Sequence, residues 1–395
     1  MNLDTFRQLL APEGRAVLAD AAALAPTEAA FLASLEALRK RHAPELAKAA
    51  LELALLRVKA RAKFPAADRM YFAREPLEQA TSEPVARHRA ARFAGFGRVA
   101  DLCCGIGGDA LALAAAGLHV DAVDTDPLRV AMTEANARAL GLDARVRGTA
   151  GDALTVPLPD VRAAFADPAR RTDGRRYLDP EDYAPPLAAL RARFAPGFPL
   201  AVKIAPGVVQ ADLRSTDGEV EFVSLGGELK ECVLWFGPLR TAARRATVLP
   251  TGDALIAEVP REPRPLAPVG AVLYDPDPAV VRAGLTPDLA ECIDAFPVDH
   301  QVQLLTADRH APTPFATAFA VEHAAPFHVR LLREYLRARH VGRVTVVKRG
   351  SPADADDLMR KLKLVGPHHR TVLLTRADGA HTMIVCDRFA RGGAE

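Results

Sequence analysis

The stretch of residues 99–126 constrains the fold of this chain more than any other part of the sequence. A short apolar strand at 98–102 runs into a glycine-rich turn, helix-forming residues follow at 109–116, and a second strand at 119–123 ends on Asp124. The turn contains three glycines: Gly105, Gly107 and Gly108. Glycine lets the backbone turn sharply and approach a bound ligand closely. The pattern therefore predicts a β-α-β unit with a ligand site at its turn.

The acidic residues around this turn distinguish between two classes of cofactor. A nicotinamide dinucleotide needs a G-x-G-x-x-G turn and a helix N-terminus that holds its pyrophosphate. Here the turn reads G-I-G-G-D, and Asp109 lies where it would repel a pyrophosphate. Asp101, at the end of the first strand, adds a second negative charge, and Asp124 can accept hydrogen bonds from a ribose diol. The turn therefore favours a cationic ligand that carries an amine and a sulfonium.

Length and composition exclude several classes of protein. A chain of 395 residues is too long for one core, so we expect two or three domains. The net charge of +2 argues against a protein whose whole surface binds polyanions. Five cysteines without a C-x-x-C pair argue against a zinc site or a disulfide framework and favour a reducing, cytoplasmic setting. No apolar run reaches membrane-spanning length, so we expect no membrane segment. The cysteine spacing leads us to expect no bound metal either.

Changes in composition along the chain predict four domains. Residues 1–69 are rich in alanine and leucine, with punctuating prolines, which is typical of helices. Residues 70–255 alternate strand-like and helix-like segments, as an open parallel sheet does. A proline-rich boundary follows, beyond which we expect a small α+β, ferredoxin-like subdomain at 256–320 and a basic domain at 321–395. The predicted fold class is therefore α/β, with a helical N-terminal domain and a C-terminal α+β domain.

Acidic residues follow successive strands of the predicted sheet. Asp124, Asp152 and Asp167 each come after one of these strands, and a further strand at 200–204 carries Lys203. Open α/β sheets bind ligands at the carboxyl ends of their strands. A lone aspartate in such a position is more often a turn or a helix cap. Several at matching positions favour a shared ligand site.

The C-terminal part of the chain is strongly basic. Residues 326–376 hold twelve lysines or arginines against four acids, a local surplus of eight positive charges. Such a segment can bind a phosphate backbone through counterion release, although an ordinary solvated face remains the alternative. A predicted helix at 328–339 places three arginines on one face, and a K-R-G-S turn follows a predicted strand. The candidate RNA-binding residues are Arg330, Arg333, Arg337, Lys348 and Arg349.

The whole chain resembles the bacterial class I S-adenosylmethionine-dependent methyltransferases that carry a C-terminal THUMP-like domain. The segments that carry the resemblance are L-E-Q-A-T at 77–81, D-L-C-C-G-I-G-G-D at 101–109, D-P-A-R-R at 167–171, K-I-A-P-G at 203–207, E-C-V-L-W at 231–235 and K-R-G at 348–350. The resemblance implies a Rossmann-like, seven-stranded methyltransferase sheet with S-adenosylmethionine as the cofactor. It also implies RNA as a partner, since THUMP domains in related enzymes are associated with RNA.

The resemblance further implies which residues bind the cofactor. In this family the segment before the glycine turn often folds over the cofactor, and the acid of a G-D-A segment contacts the adenine amino group. The residues at the matching positions are Gln79, Thr81, Asp101, Cys103, Gly105, Gly107, Gly108, Asp124, Asp152 and Ala153.

Two chemistries remain open for the D-P-A-R segment, and base N-methylation is favoured. Enzymes that methylate exocyclic base amines present D/N-P-P-Y/F, in which the acid or amide and the proline carbonyl accept from the amine and the ring stacks on the base. Asp167 and Pro168 keep these acceptors, whereas Ala169 and Arg170 replace the second proline and the aromatic ring. The guanidinium plane of Arg170 could stack on the base or bind phosphate instead.

Ribose 2′-O-methylation is the alternative chemistry. Enzymes with a similar sheet use a Lys-Asp-Lys-Glu tetrad, and Asp167, Lys203 and Glu231 match its last three members. The first lysine is missing, because no lysine lies between Lys63 and Lys203, and the arginine at position 74 cannot serve as a base. A catalytically silent RNA-binding protein and a methyltransferase of proteins or small molecules also remain open.

Overall fold

The computed structural model describes residues 1–172, 175–208, 213 and 217–389, and it leaves out the side chains of 171–176. The chain divides into two compact units. The first unit comprises Met1–Glu219 and Glu231–Thr241, and the second comprises Val220–Lys230 and Ala242–Glu395.

Four α-helices form the N-terminal part of the first unit, which confirms the prediction of a helical N-terminal region. They are α1 (Leu3–Leu10), α2 (Pro12–Ala23), α3 (Phe31–Arg39) and α4 (Pro44–Ala60). Prolines begin α2 and α4, because the first helical position needs no amide proton. The Asn2 side chain caps α1 by accepting from the Thr5 amide at 2.9 Å. Phe6 and Leu51 are fully buried between these helices.

Two short helices connect this bundle to the sheet. They are α5 (Arg74–Gln79) and α6 (Glu83–Ala91). Ser82 occupies the N-cap position of α6, and Pro84 lies in its first turn. Thr81 therefore lies in the three-residue gap between the helices.

The alternating segment of the chain forms an open sheet with flanking helices. From residue 98 to residue 236 its elements are β1 (Arg98–Leu102), α7 (Gly108–Ala115), β2 (His119–Asp124), α8 (Pro127–Ala139), β3 (Val146–Ala150), β4 (Ala163–Ala166), β5 (Arg171–Thr172), β6 (Arg175–Arg176), α9 (Leu187–Ala192), β7 (Leu200–Ile204), β8 (Glu219–Leu225) and β9 (Glu228–Phe236). In the described part of the first unit, the strands follow the order β9-β7-β4-β1-β2-β3. They are parallel except for the antiparallel pair of β7 and β9.

Burial explains why most of these strands were predictable. β1, β4 and β7 are almost continuous apolar runs that are covered on both faces, and their bounds agree with the sequence prediction. The sequence alone predicts the third strand at 144–147, whereas β3 spans Val146–Ala150, because polar residues at its outward positions weaken the apolar pattern. The antiparallel hairpin of β5 and β6 was not predicted, since two-residue strands leave almost no periodicity.

The second unit is rich in strands. After β8 its elements are β10 (Arg244–Leu249), β11 (Asp253–Ala257), β12 (Val272–Pro276), α10 (Pro278–Ala283), α11 (Thr286–Cys292), β13 (Phe296–Pro297), β14 (Leu305–Ala307), β15 (Ala316–Pro326), α12 (Val329–Ala338), β16 (Val341–Lys348), α13 (Ala355–Leu362), β17 (His368–Ala377) and β18 (Ala380–Arg388). β10 pairs with β8 in parallel and with β11 antiparallel. The sequence alone predicts a further strand at 299–305, and this prediction is wrong, because only Leu305 of that range belongs to a strand and the rest is a loop between β13 and β14.

A separate sheet occupies the C-terminal part of this unit. Its strands follow the order β13-β14-β12-β15-β18-β17-β16, and α12 and α13 cover one face. Leu332 and Leu336 of α12 and Leu358 of α13 pack against Val372 and Val385 of the sheet. This arrangement confirms a C-terminal α+β domain. Among the described residues, the structure contains no helix that is both long enough and apolar enough to cross a membrane.

Candidate active site

The glycine turn after β1 requires backbone conformations that favour glycine. Gly105 and Gly107 have φ angles of +58° and +88°. A Cβ on Gly107 would lie 2.9 Å from the Thr133 methyl group of α8, so the turn is packed tightly against that helix. The Thr133 hydroxyl also donates to the Gly105 carbonyl at 3.0 Å. Cys103 adopts a positive φ of +62° as well, and burial raises the pKa of its thiol. The turn is therefore a rigid cradle at the N-terminus of α7.

Asp124 ends β2 beside this cradle. Its carboxylate is buried and accepts hydrogen bonds from the amides of Gly105 and Asp126, both at 3.0 Å. Each carboxylate oxygen has a further lone pair. Asp124 can therefore shape the turn and still accept hydrogen bonds from a ligand diol.

Asp101 is fully buried, and neither of its carboxylate oxygens has a hydrogen-bond partner among the described residues. Burial raises the pKa of Asp101 well above its usual value, and the charges of Asp109 and Asp167 raise it further. The charge of the Arg89 guanidinium opposes this increase. A buried acceptor without a partner is costly. The site at the end of β1 is thus suited to a ligand that brings donors or positive charge.

Arg89 of α6 was not among the candidate residues from the sequence. Its buried guanidinium donates to Asp109 of α7 and to Glu231 of β9, and it lies over the Phe165 ring at 4.3 Å. Burial lowers the pKa of Arg89, but the charges of Asp109 and Glu231 outweigh burial and raise it overall. The only signal in the sequence was one arginine among several in a short amphipathic helix. Sequence spacing could not show which of them points inward.

Lys203 and Asp167 form the second ion pair of the site. The Lys203 ammonium on β7 lies 2.6 Å from Asp167 Oδ2 and donates to the Thr81 hydroxyl at 3.1 Å. Lys203 is buried, whereas the Asp167 side chain keeps a quarter of its surface exposed. The structure thus brings together Thr81, Lys203 and Asp167, while Glu231 pairs with Arg89.

The segment after Asp167 leads away from the sheet. The amide of Asp167 donates to the Leu102 carbonyl at 3.0 Å, which places Asp167 beside the end of β1, and Pro168 is buried. Arg170 is half-buried, and its carbonyl accepts from the Tyr177 amide at 2.9 Å. The side chain of the next residue, at 171, lies outside the described part of the structure.

Two predicted cofactor contacts receive little support from the geometry. Gln79 is exposed, and its amide donates to Glu75 within the same helix at 3.2 Å. Asp152 is exposed and accepts from the Leu154 amide at 2.8 Å, as a turn-capping aspartate does. Ala153, beside it, is buried.

Two of the predicted RNA-binding arginines connect α12 to α13 within the second unit. Arg333 and Arg337 of α12 donate to the main-chain carbonyls of Lys361 and Lys363, at 2.5 and 2.8 Å, at the C-terminal end of α13. Both contacts satisfy carbonyls that a helix end leaves without intrahelical partners. These two cations therefore have a structural role.

The other three predicted RNA-binding residues also have intramolecular partners. Arg330 pairs with Glu334 at 2.8 Å, and Lys348 donates to the Ala353 carbonyl at 2.7 Å. Arg349 makes a two-pronged contact with Asp275 at 2.6 and 2.9 Å. All three cations remain exposed.

Comparison with known proteins adds three matching family profiles. Residues 96–183 match the RNA cap guanine-N2 methyltransferase profile, and residues 316–388 match the THUMP domain-like profile. Residues 2–60 match a domain of unknown function, DUF8688.

Two curated relatives match most of the chain. They are the uncharacterised S-adenosylmethionine-dependent methyltransferases MT3122 and Rv3037c of Mycobacterium tuberculosis strains CDC 1551 and H37Rv. Each is 36% identical over 309 residues, which cover 77% of this chain and 84% of the relative. The chain belongs to the S-adenosylmethionine-dependent methyltransferases. A crystal structure named for a methyltransferase of Porphyromonas gingivalis W83 has the same fold, with a TM-score of 0.70 and 19% identity over 92% of this chain and 99% of that one.

The residues of this methyltransferase fit its cofactor, S-adenosylmethionine. The glycine cradle leaves room for close approach, the free acceptors of Asp101 suit a ligand that brings donors or positive charge, and Asp124 suits a ribose diol. When bound, the cofactor supplies an electrophilic methyl group on a positively charged sulfur.

Proposed function

We propose that this methyltransferase methylates an exocyclic amine of a base in structured RNA, with Asp167 and Pro168 as the amine acceptors. The observation that carries the proposal is the Lys203–Asp167 pair at the carboxyl end of the sheet. Lys203 holds Asp167 Oδ2 at 2.6 Å, and the remaining exposed surface of Asp167 leaves its carboxylate accessible to a substrate donor.

The same pair argues against a hydroxyl nucleophile. Lys203 donates to the Asp167 carboxylate and to the Thr81 hydroxyl, so its amine is engaged by these two contacts and is not directed at a ribose 2′-OH. Glu231, the predicted last member of a 2′-O tetrad, is held by Arg89. An amine needs only acceptors that orient its lone pair, because its proton becomes acidic once the methyl group is attached. Asp167 can accept that proton.

An aromatic residue, Tyr177, lies opposite Arg170 in the chain. The amide of Tyr177 donates to the Arg170 carbonyl, which continues the ladder of β5 and β6. Residues that face each other in such a ladder point to the same side of the hairpin. We infer that Tyr177, the residue that follows β6, supplies the aromatic ring that D-P-P-Y carries at its fourth position.

RNA as the substrate is supported by the two family profiles and by the local charge. The RNA cap guanine-N2 methyltransferase profile covers the glycine turn and Asp167, and the THUMP domain-like profile covers the whole basic segment at 326–376. The exposed arginines of this segment keep unused N–H groups beyond those in their internal contacts, since a guanidinium has five. These groups are free to bind phosphate oxygens.

Methyl transfer to RNA from a strain that lacks this protein tests the proposal. We expect labelled S-adenosylmethionine to mark that RNA, nucleoside mass spectrometry to find a base N-methyl product, and Asp167→Ala to reduce transfer at least about 100-fold. Lys230→Met, which removes an exposed lysine, is the control. A 2′-O-methyl product would overturn the base assignment, and transfer that persists in Asp167→Ala would overturn the role of Asp167.

A further inference from the structure

Lys63 lies just after α4 and binds the segment that separates α5 from α6. Its ammonium donates to three main-chain carbonyls, those of Leu77, Glu78 and Ala80, at 2.8, 2.8 and 2.9 Å. The main-chain carbonyl of Lys63 also accepts from the Glu83 amide at 2.9 Å. One residue therefore holds both sides of Thr81.

Thr81, which this clamp encloses, contacts two parts of the candidate active site. Its hydroxyl accepts from the Lys203 ammonium at 3.1 Å. Its main chain lies against the glycine turn, because a Cβ on Gly108 would be 3.3 Å from the Thr81 carbonyl oxygen. A Cβ at the same position would lie 3.8 Å from the ring of Phe64, the residue next to Lys63. The clamped segment is thus one wall of the cradle.

A cation suits this position for electrostatic reasons. The carbonyls at the C-terminus of α5 carry the negative end of its dipole and have no intrahelical partners. Without Lys63 they would turn toward water, and the three-residue gap around Thr81 would lose its fixed geometry. Hydrogen bonds to a charged donor are stronger than neutral ones.

We propose that Lys63 is a positioning residue for the methyltransferase site, which acts through Thr81 on the glycine turn and on Lys203. The N-terminal helices then contribute to cofactor binding without touching the cofactor. The inference rests on the proposed location of S-adenosylmethionine at the glycine turn and not on the RNA substrate.

Calorimetric titration with S-adenosylmethionine alone tests the inference on the full chain. We expect Lys63→Met to weaken binding about ten-fold and Lys63→Arg, which keeps charged N–H donors, to restore most of the affinity. Lys59→Met is the matched control, because Lys59 lies on α4, is exposed and pairs only with Glu28 in the contacts that the structure describes. The control should bind as the unchanged protein does.

A double-mutant cycle shows whether Lys63 acts through Thr81. If it does, Lys63→Met combined with Thr81→Val binds no more weakly than the weaker single variant. Affinity within two-fold of the unchanged protein in Lys63→Met, or additive effects in the double variant, would overturn the inference. Lys63→Gln, which keeps two N–H donors, replaces Lys63→Met in the cycle should that variant not fold.

The cofactor location has its own readout in Asp124→Ala. Unchanged binding in that variant would show that the cofactor binds elsewhere, and the proposed site would fail. Loss of binding in Asp124→Ala together with unchanged binding in Lys63→Met would remove the role of Lys63 alone.

Discussion

Arg89 donates a buried hydrogen bond to Glu231, which lies 142 residues further along the chain. The same guanidinium holds Asp109, so one positive charge compensates two buried carboxylates. This ion triad connects α6, α7 and β9 behind the glycine turn. It gives Glu231 a structural partner and explains why that residue is not available to Lys203.

Removal of Arg89 should therefore destabilise the protein strongly. Arg89→Met leaves the carboxylates of Asp109 and Glu231 buried without compensation, which costs about 3–5 kcal/mol. Arg87→Met, in the same helix but exposed, should change stability by less than about 0.5 kcal/mol. Urea denaturation followed by circular dichroism measures both. A similar loss in the two variants would show that the triad contributes nothing specific.

Asp124→Ala should abolish measurable binding of S-adenosylmethionine. The substitution removes the acceptor proposed for the ribose diol and also the carboxylate that fixes the amides of Gly105 and Asp126. Asp143→Ala, an exposed aspartate of the same unit, is the control and should bind normally. Calorimetric titration gives the dissociation constants. Retained affinity in Asp124→Ala would place the cofactor outside the cradle.

The buried Asp101 should make stability depend on pH in a predictable direction. Its pKa is raised in the folded protein, so from about pH 4 upward the unfolded chain loses the proton first, and folding becomes less favourable as the pH rises toward the folded pKa. Asp101→Asn keeps the shape without the ionisation. Its stability relative to the unchanged protein should therefore increase by up to about 1.4 kcal/mol per pH unit above pH 4 in the absence of cofactor. Urea midpoints across that interval measure the difference, and a constant gap would contradict the prediction.

Tyr177 should be needed as a ring and not as a hydroxyl. Tyr177→Ala should lower kcat/KM for RNA at least about ten-fold, because stacking of a base on an aromatic ring contributes about 1–3 kcal/mol. Tyr177→Phe should keep nearly full activity, and both variants should bind S-adenosylmethionine normally. Equal loss in the two variants would assign the role to the hydroxyl instead.

The sequence predicted those parts of the site that depend on the main chain. The glycine turn, the strand end at Asp124 and the position of Asp167 follow from apolar strands and from glycines that local sterics require. Ion pairing was less predictable. Arg89 could not be told apart from its neighbours, because its burial depends on residues more than a hundred positions away.

The basic segment at 326–376 shows a second limit of prediction from sequence. Counting charges identified a surplus, but five named cations turned out to have carbonyl or carboxylate partners of their own. Local composition gives the number of charges in a segment, but the contact partner of each charge depends on the tertiary structure.

The contacts of Arg333 and Arg337 with the end of α13 have a practical consequence for mapping the nucleic-acid surface. Alanine at these two positions would remove contacts that hold α12 and α13 together. Weakened RNA binding in such variants would then reflect damaged packing and would be mistaken for lost phosphate contact. Variants that reverse or add a charge at exposed positions outside the helix contacts would separate lost phosphate binding from damaged packing.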